Sequence, residues 1–344
     1  MPSDAKSAGR RLVVGGLVAA ALLAGCTSRH ADTGPAPIGP ATAATAPAPN
    51  STPTGEIRKL AGHPVAAIVD PATPALVVLG GADPDAADTL TVLGEDGVAA
   101  RTISLGAPGT ALTADGAGHV LVSARGGYVS VDLAAGTAVR TGITGEQDTD
   151  FTAIARRSDG QLVLGSADGS VLVLSSATGV GHRDKLSSRV DSIVTQGNTA
   201  GALERGQTSV TAVDPDGSAR EALRAGEGAT TMAADPAGRV LVADTRGGEL
   251  LVLSAEPLIL RQRYPVPGAP YGIAGSQGLA WVSQTATNTV IGYDLATGIP
   301  VEKVRYPTVR QPNILAYDDA SGTLYVVSGS GAGVQVIEHA GQPR

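Results

Sequence analysis

The sequence predicts an all-β chain, a seven-bladed β-propeller, and three observations lead there. From Gly55 onward the chain consists of short runs rich in Val, Leu and Ile, separated by Gly- and Asp-containing turns. No long stretch has the apolar period of a helix. One apolar position recurs seven times, at Ile68, Leu112, Ile154, Ile193, Met232, Ile273 and Leu315. Its spacing is roughly forty residues, the period of a propeller blade.

Phe151 to Gly179 shows the unit most clearly. Three apolar runs, Thr152–Ala155, Gln161–Gly165 and Ser170–Leu174, are separated by Ser158-Asp159-Gly160 and Ser166-Ala167-Asp168-Gly169. Those turns reverse the chain, so the runs form a meander. A lone meander cannot bury both faces and must stack on copies of itself.

The recurring position marks the innermost strand of each blade. The second strands are expected at Leu76–Leu79, His119–Ser123, Gln161–Gly165, Thr199–Glu204, Val240–Asp244, Leu279–Ser283 and Thr323–Ser328. The third follow at Thr89–Leu93, Tyr128–Asp132, Ser170–Leu174, Ser209–Val213, Glu249–Leu253, Thr289–Asp294 and Gly333–Glu338. Fourth strands are clear at Ala99–Leu105, Ile259–Tyr264 and Val301–Tyr306, and weaker at Ala138–Ile143, His182–Leu186 and Ala219–Leu223. The seventh unit stops after its third strand. Glu56–Leu60 stands just before the first inner strand, where a fourth strand belongs, and is expected to complete the seventh blade. That closure would cover an edge otherwise left unpaired.

The amino end follows other rules. Lys6, Arg10 and Arg11 precede the apolar run Leu12–Ala24, which ends in Leu23-Ala24-Gly25-Cys26. This order reads as a signal peptide over residues 1–25. The Leu-Ala-Gly-Cys tetrad resembles the bacterial lipobox, which implies lipidation of the Cys26 sulfur and cleavage before it. The localisation so expected is the extracytoplasmic side of the cell membrane, lipid-anchored. Arg10-Arg11 leaves both the general secretory and the twin-arginine route open. Residues 26–54 carry the lipidated Cys26 and an Ala-, Pro- and Thr-rich stretch with almost no large apolar residue. That stretch is expected to be a disordered tether. The propeller spans residues 55–344.

Charge and cysteine count remove several function classes. Loss of residues 1–25 takes the chain from 25 basic and 32 acidic residues to 22 and 31. A nucleic-acid binder would need a basic stripe, so no nucleic-acid partner is expected. Cys26 is the single cysteine, which leaves no thiol catalysis and no Cys-ligated metal. The histidines, His30, His63, His119, His182 and His339, have no spacing suited to a metal. Asp70, Asp115, Asp159, Asp235 and Asp318 recur at equivalent turns after the inner strand and read as turn caps. No cofactor is expected. The chain lacks a Gly-x-Ser-x-Gly elbow, and no catalytic residue is assigned.

The runs Ala280–Gln284, Thr289–Gly298 and Leu324–Ser328 resemble YVTN-type propeller repeats. Repeating Gly-His and Trp-Asp pairs are absent, so the pattern is not that of a typical WD40 chain. Stretches such as GATTMAADPAGRVLVADTRGGELLV and TNTVIGYDLATGIPVEKVRYPTV, with the lipobox, resemble mycobacterial propeller lipoproteins. The resemblance implies a lipoprotein of an actinobacterial envelope. It brings no activity and no catalytic residue.

One constellation points to recognition. Arg125, Arg205 and Arg246 stand beside glycine or in glycine-rich turns between second and third strands. Arg189 and Arg310 lie in connections between blades, which share that face of a propeller. A ring of accessible guanidiniums suits a carboxylate or phosphate. Glu146, Asp148, Asp150, Glu204 and Glu227 fall on the same face, so solvated salt bridges are the alternative. The expected function is a membrane-anchored, non-catalytic scaffold or recognition module for an envelope protein or an anionic small molecule. A hydrolase or lactonase with a loop-built site, and a carrier of a small or lipidic ligand in the central channel, are the alternatives.

Overall fold

Blade 3 contains the meander read from the sequence. Strands β10 (Phe151–Arg156), β11 (Leu162–Ser166), β12 (Ser170–Leu174) and β13 (Val180–Lys185) pair antiparallel in that order. The computed structural model describes residues 39–83, 86–94 and 100–342, and Pro40–Arg344 forms one compact unit. The expected signal peptide, Cys26, His30 and the part of the expected tether before Gly39 lie outside the described residues.

Seven four-stranded antiparallel sheets make up the unit. Their inner strands are β2 (His63–Asp70), β6 (Gly109–Ala114), β10, β14 (Ser192–Gln196), β18 (Ala229–Ala234), β22 (Pro270–Gly275) and β26 (Pro312–Asp318). Helix is confined to one short 3₁₀ turn, Thr285–Thr287, among the described residues. No helix among them is long and apolar enough to cross a membrane.

The seventh blade takes its outer strand from the start of the unit, as expected. Strand β1 (Glu56–Arg58) pairs antiparallel with β28 (Val334–Ile337) in the register Glu56–Val336, Ile57–Gln335 and Arg58–Val334. Glycine makes the approach possible on both strands. A Cβ on Gly55, whose φ is +83°, would stand 2.1 Å from the Val336 carbonyl oxygen. One on Gly333, at φ +96°, would stand 2.5 Å from the Arg58 carbonyl oxygen. The conformation and the space both require glycine there.

Apolar burial is divided among the seams between blades. Seven clusters of buried side chains each draw on two neighbouring blades. The seam that closes the ring joins Leu76 and Val78 of blade 1 to Val327, Val334 and Val336 of blade 7. Each fully buried Leu or Val contributes about 1.5–3 kcal/mol relative to exposure. A stacked unit is therefore stable only beside its neighbours.

Inner strands are also tied to each other by hydroxyls. The pairing of β6 and β10 with their neighbours shifts register at Thr110 and Thr152, as a bulge does. A bulge re-aims a side chain. Thr110 Oγ1 donates to the Phe151 carbonyl in the next blade at 2.7 Å. Thr152 Oγ1 donates likewise to the Val190 carbonyl.

Residues 39–54, the described part of the stretch expected to be a disordered tether, form no strand but are seated on the ring. Ala41 is 7% exposed and Ala46 is 1% exposed, and the intervening backbone is hydrogen-bonded to the ring. The stretch lacks large side chains, but its main-chain groups supply the contacts that a sequence of Ala, Pro and Thr cannot advertise.

Candidate functional site: the arginine-bearing loop face and the central channel

The turns between second and third strands and the connections between blades are stitched together by acids. Glu204, 2% exposed, accepts hydrogen bonds from the Ser187 hydroxyl at 2.8 Å and the Ser188 amide at 2.7 Å. Asp244 is fully buried and accepts from the amides of Glu227 and Gly228, both at 2.8 Å. Glu146 is buried and paired with Arg183, and it also accepts from the Thr149 hydroxyl at 2.6 Å. Glu204 and Asp244 thus cap backbone that a tight connection leaves unpaired, while Glu146 ties side chains together.

The five arginines divide into three groups by partner. Arg125 reaches two carboxylates, Asp148 at 3.2 Å and Asp150 at 3.1 Å, and this pairing raises its pKa. Arg189 pairs with Asp191 at 3.2 Å. Both pairs are exposed and screened, so they fix loops weakly. Arg205 and Arg310 instead hold the docked amino-terminal segment. The Arg205 guanidinium donates to the Ala41 carbonyl, and Arg310 Nε donates to the Ala46 carbonyl at 3.1 Å. Arg205 Nε is buried and has no hydrogen-bond partner. Arg246 Nη1 donates to the Glu227 carbonyl at 3.1 Å.

Two amide side chains complete the seat, and neither was identified from sequence. Gln311 Nε2 donates to the Ala44 carbonyl at 2.8 Å while its Oε1 accepts the Ala46 N–H at 2.9 Å. Asn288 Nδ2 donates to the Pro47 carbonyl at 3.0 Å. Both residues have left-handed backbone, φ +58° at Gln311 and +48° at Asn288. The conformation is uncommon for Gln. A Cβ on Gly228 would stand 2.9 Å from the Ala41 methyl, so that glycine leaves room for the segment. The segment thus runs from the Arg205 and Gly228 side to the Asn288 and Gln311 side, crossing from blades 4 and 5 to blades 6 and 7.

The central channel is a second concavity of about 400 Å³. All seven recurring positions, from Ile68 through Leu315, line it, with alanines between them. Among the described lining residues, Asp191 is the acid, and it is already engaged by the Arg205 amide at 2.8 Å. A wall of this kind offers few groups for acid–base work.

At the opposite ends of the inner strands the recurrent aspartates cap their turns. Asp115 Oδ1 accepts from the amides of Ala117 at 2.7 Å and His119 at 3.0 Å. Asp235 accepts from Ala237 at 2.9 Å and Asp318 from Ala320 at 3.0 Å. His119 Nδ1 lies 3.0 Å from Asp115. No group of three or more metal-ligating side chains occurs among the described residues.

No protein-family model matches the sequence. No curated protein matches it either. Solved structures do match in shape. A streptogramin B lyase superposes with a TM-score of 0.68 at 10% identity, over 82% of this chain and 97% of that one. The virginiamycin B lyase of Staphylococcus aureus gives 0.66 at 12%, over 82% and 98%. The RRP9 WD40 repeats give 0.69 at 14%, over 85% and 99%. Identities this low speak to architecture, and the neighbours differ widely in what they do. The mycobacterial lipoprotein resemblance rests on the sequence stretches quoted for it. What the comparisons and the geometry share is a seven-bladed β-propeller.

Proposed function

We propose that this chain is a non-catalytic recognition module, held by a lipid on Cys26 at the extracytoplasmic side of the cell membrane. Its loop face, bearing Arg125, Arg189, Arg205, Arg246 and Arg310, receives an envelope protein or an anionic ligand. One observation carries the reading: Arg205 and Arg310 on that face already grip main-chain carbonyls of an extended segment. A guanidinium that binds a carbonyl binds a carboxylate more strongly, because the hydrogen bond becomes charge-assisted at both ends. A further structural neighbour is a chain of a mitotic checkpoint complex, a multiprotein assembly, which favours protein partners as the general class.

Lipid anchoring follows from the lipobox, because the mature chain is acidic and gains nothing from anionic lipid. The channel supports the carrier as a second reading, by virtue of its ring of Ile, Leu and Met. The lyase neighbours supply an enzymatic precedent for the fold, and a loop-built site is the form it would take here.

Crosslinking in intact cells tests the first reading. Wild type and the combined Arg125→Ala, Arg205→Ala, Arg246→Ala variant are compared after purification from the membrane. Loss of the crosslinked species in the variant is expected. Equal crosslinking by both chains would move the interface to another surface. Cys26→Ser is expected to release the chain from the membrane fraction, and unchanged processing and retention would contradict the anchor.

A further inference from the structure

We infer that the loop face is a binding site for an extended Ala- and Pro-rich peptide of a partner protein, and that residues 40–47 occupy it in cis as a displaceable stand-in. This rests on the recognition reading above and names the ligand and its regulation.

The seat reads peptide backbone. Gln311 takes one carbonyl and one N–H two residues apart, as a neighbouring strand would, while Asn288, Arg205 and Arg310 each take a further carbonyl. Main-chain contacts of this kind supply affinity for any extended chain, and the pockets under alternate side chains supply selectivity. Here the two buried side chains of the segment are only methyl groups, at Ala41 and Ala46, and Gly228 makes room for the first. Thr42 and Thr45 point to solvent and are free to vary. Proline at 40, 47 and 49 keeps the segment extended before it docks, which lowers the entropy lost on binding.

The cis occupant is built to leave. Residues 39–54 carry no charge, so the guanidiniums that grip them face only neutral carbonyls. The buried Arg205 Nε is unsatisfied by the segment. A partner peptide of the same extended, small-residue character, with a carboxylate beside Arg205, satisfies that donor and outcompetes the chain's own segment. Competition in cis lowers the apparent affinity of any weaker peptide.

The experiment uses the full chain and a fluorescent synthetic peptide of the sequence from Gly39 to Asn50, followed by anisotropy. Ala41→Leu with Ala46→Leu overfills both buried methyl sites and expels the cis segment without touching a blade and without placing a carboxylate beside Arg205 or Arg310. Amide exchange at position 46 reports the expulsion, and unchanged protection there would refute the buried-alanine seat. The released variant is expected to bind the peptide at least tenfold more tightly than wild type. Adding Gln311→Ala to it should cost at least fivefold, and a peptide with Pro40→Asp should bind more tightly than the unaltered one at low salt. Equal peptide binding by wild type and released variant, or indifference to Gln311→Ala, would overturn the proposal. Indifference to the acidic peptide would remove the carboxylate from it. Native mass spectrometry showing a dimeric wild type and a monomeric released variant would assign the site to a second copy and overturn the foreign partner. If no peptide binds while crosslinking in cells still depends on the arginines, the recognition reading stands and this inference alone falls.

Discussion

Gln311 and Ala46 form a paired contact between the ring and the segment that precedes it. The Gln311 side-chain oxygen accepts the Ala46 N–H at 2.9 Å, and the same amide donates to Ala44 two residues earlier. The amide group thus imitates one rung of a β-ladder from a side chain. It can do so because the backbone at Gln311 is left-handed and turns the residue off the start of the inner strand β26.

Closure of the ring should be sensitive to Gly55. Gly55→Val places a branched side chain at φ +83° and against the Val336 carbonyl. Left-handed backbone in a β-branched residue costs about 1–3 kcal/mol, and lost pairing of β1 adds to it. Denaturant unfolding should show a lower midpoint, and the exposed β28 edge should promote aggregation. An unchanged midpoint would mean that β1 contributes nothing to closure.

Trp281 reports on the last seam. It is fully buried between Tyr306, 6.4 Å away, and Tyr317, 5.6 Å away, and its cluster joins blade 6 to blade 7. As the single tryptophan, it gives an unambiguous emission signal. That emission should be blue-shifted in the folded chain and move to the red with Gly55→Val under mild denaturant, before global unfolding. Trp281→Ala should cost about 3–5 kcal/mol through the cavity it leaves, measured by urea unfolding. A loss below 1 kcal/mol would show that the seam collapses to fill the space.

Acid should loosen the β11–β12 turn. Lys185 at 2.7 Å and the Ser166 hydroxyl hold the Asp168 carboxylate well below the usual range. A depressed carboxylate adds stability that is present above the unfolded pKa of about 3.9 and is lost as pH falls through the folded value. The side chain is 64% exposed, so screening reduces the effect to about 0.5 kcal/mol. Asp168→Asn should therefore lower stability slightly at pH 7 and match wild type near pH 1. A difference that persists at pH 1 would assign the effect to the turn rather than to charge.

The blades were legible because alternation, turn residues and a period near forty all act locally. Every recurring apolar position chosen from the sequence, including Met232, faces the channel. Closure by β1 was legible because a missing fourth strand leaves an edge that only Glu56–Leu60 could cover. The docking of residues 40–47 was not legible. Apolar content signals folding through side chains, and Ala41 and Ala46 bury only methyl groups. The seat depends on Gln311, Asn288 and two arginines converging from blades distant in sequence. Arg205 and Arg310 were selected for their charge, whereas their observed partners are neutral carbonyls.

Amide hydrogen exchange at Ala46 tests most directly whether this face holds an extended chain. The account predicts slow exchange in the wild-type chain, accelerated at least tenfold by Gln311→Ala and by Arg310→Ala, while amides of β27 (Thr323–Ser328) stay protected. Exchange of the Ala46 amide in wild type at the rate of an exposed, unbonded amide would contradict it.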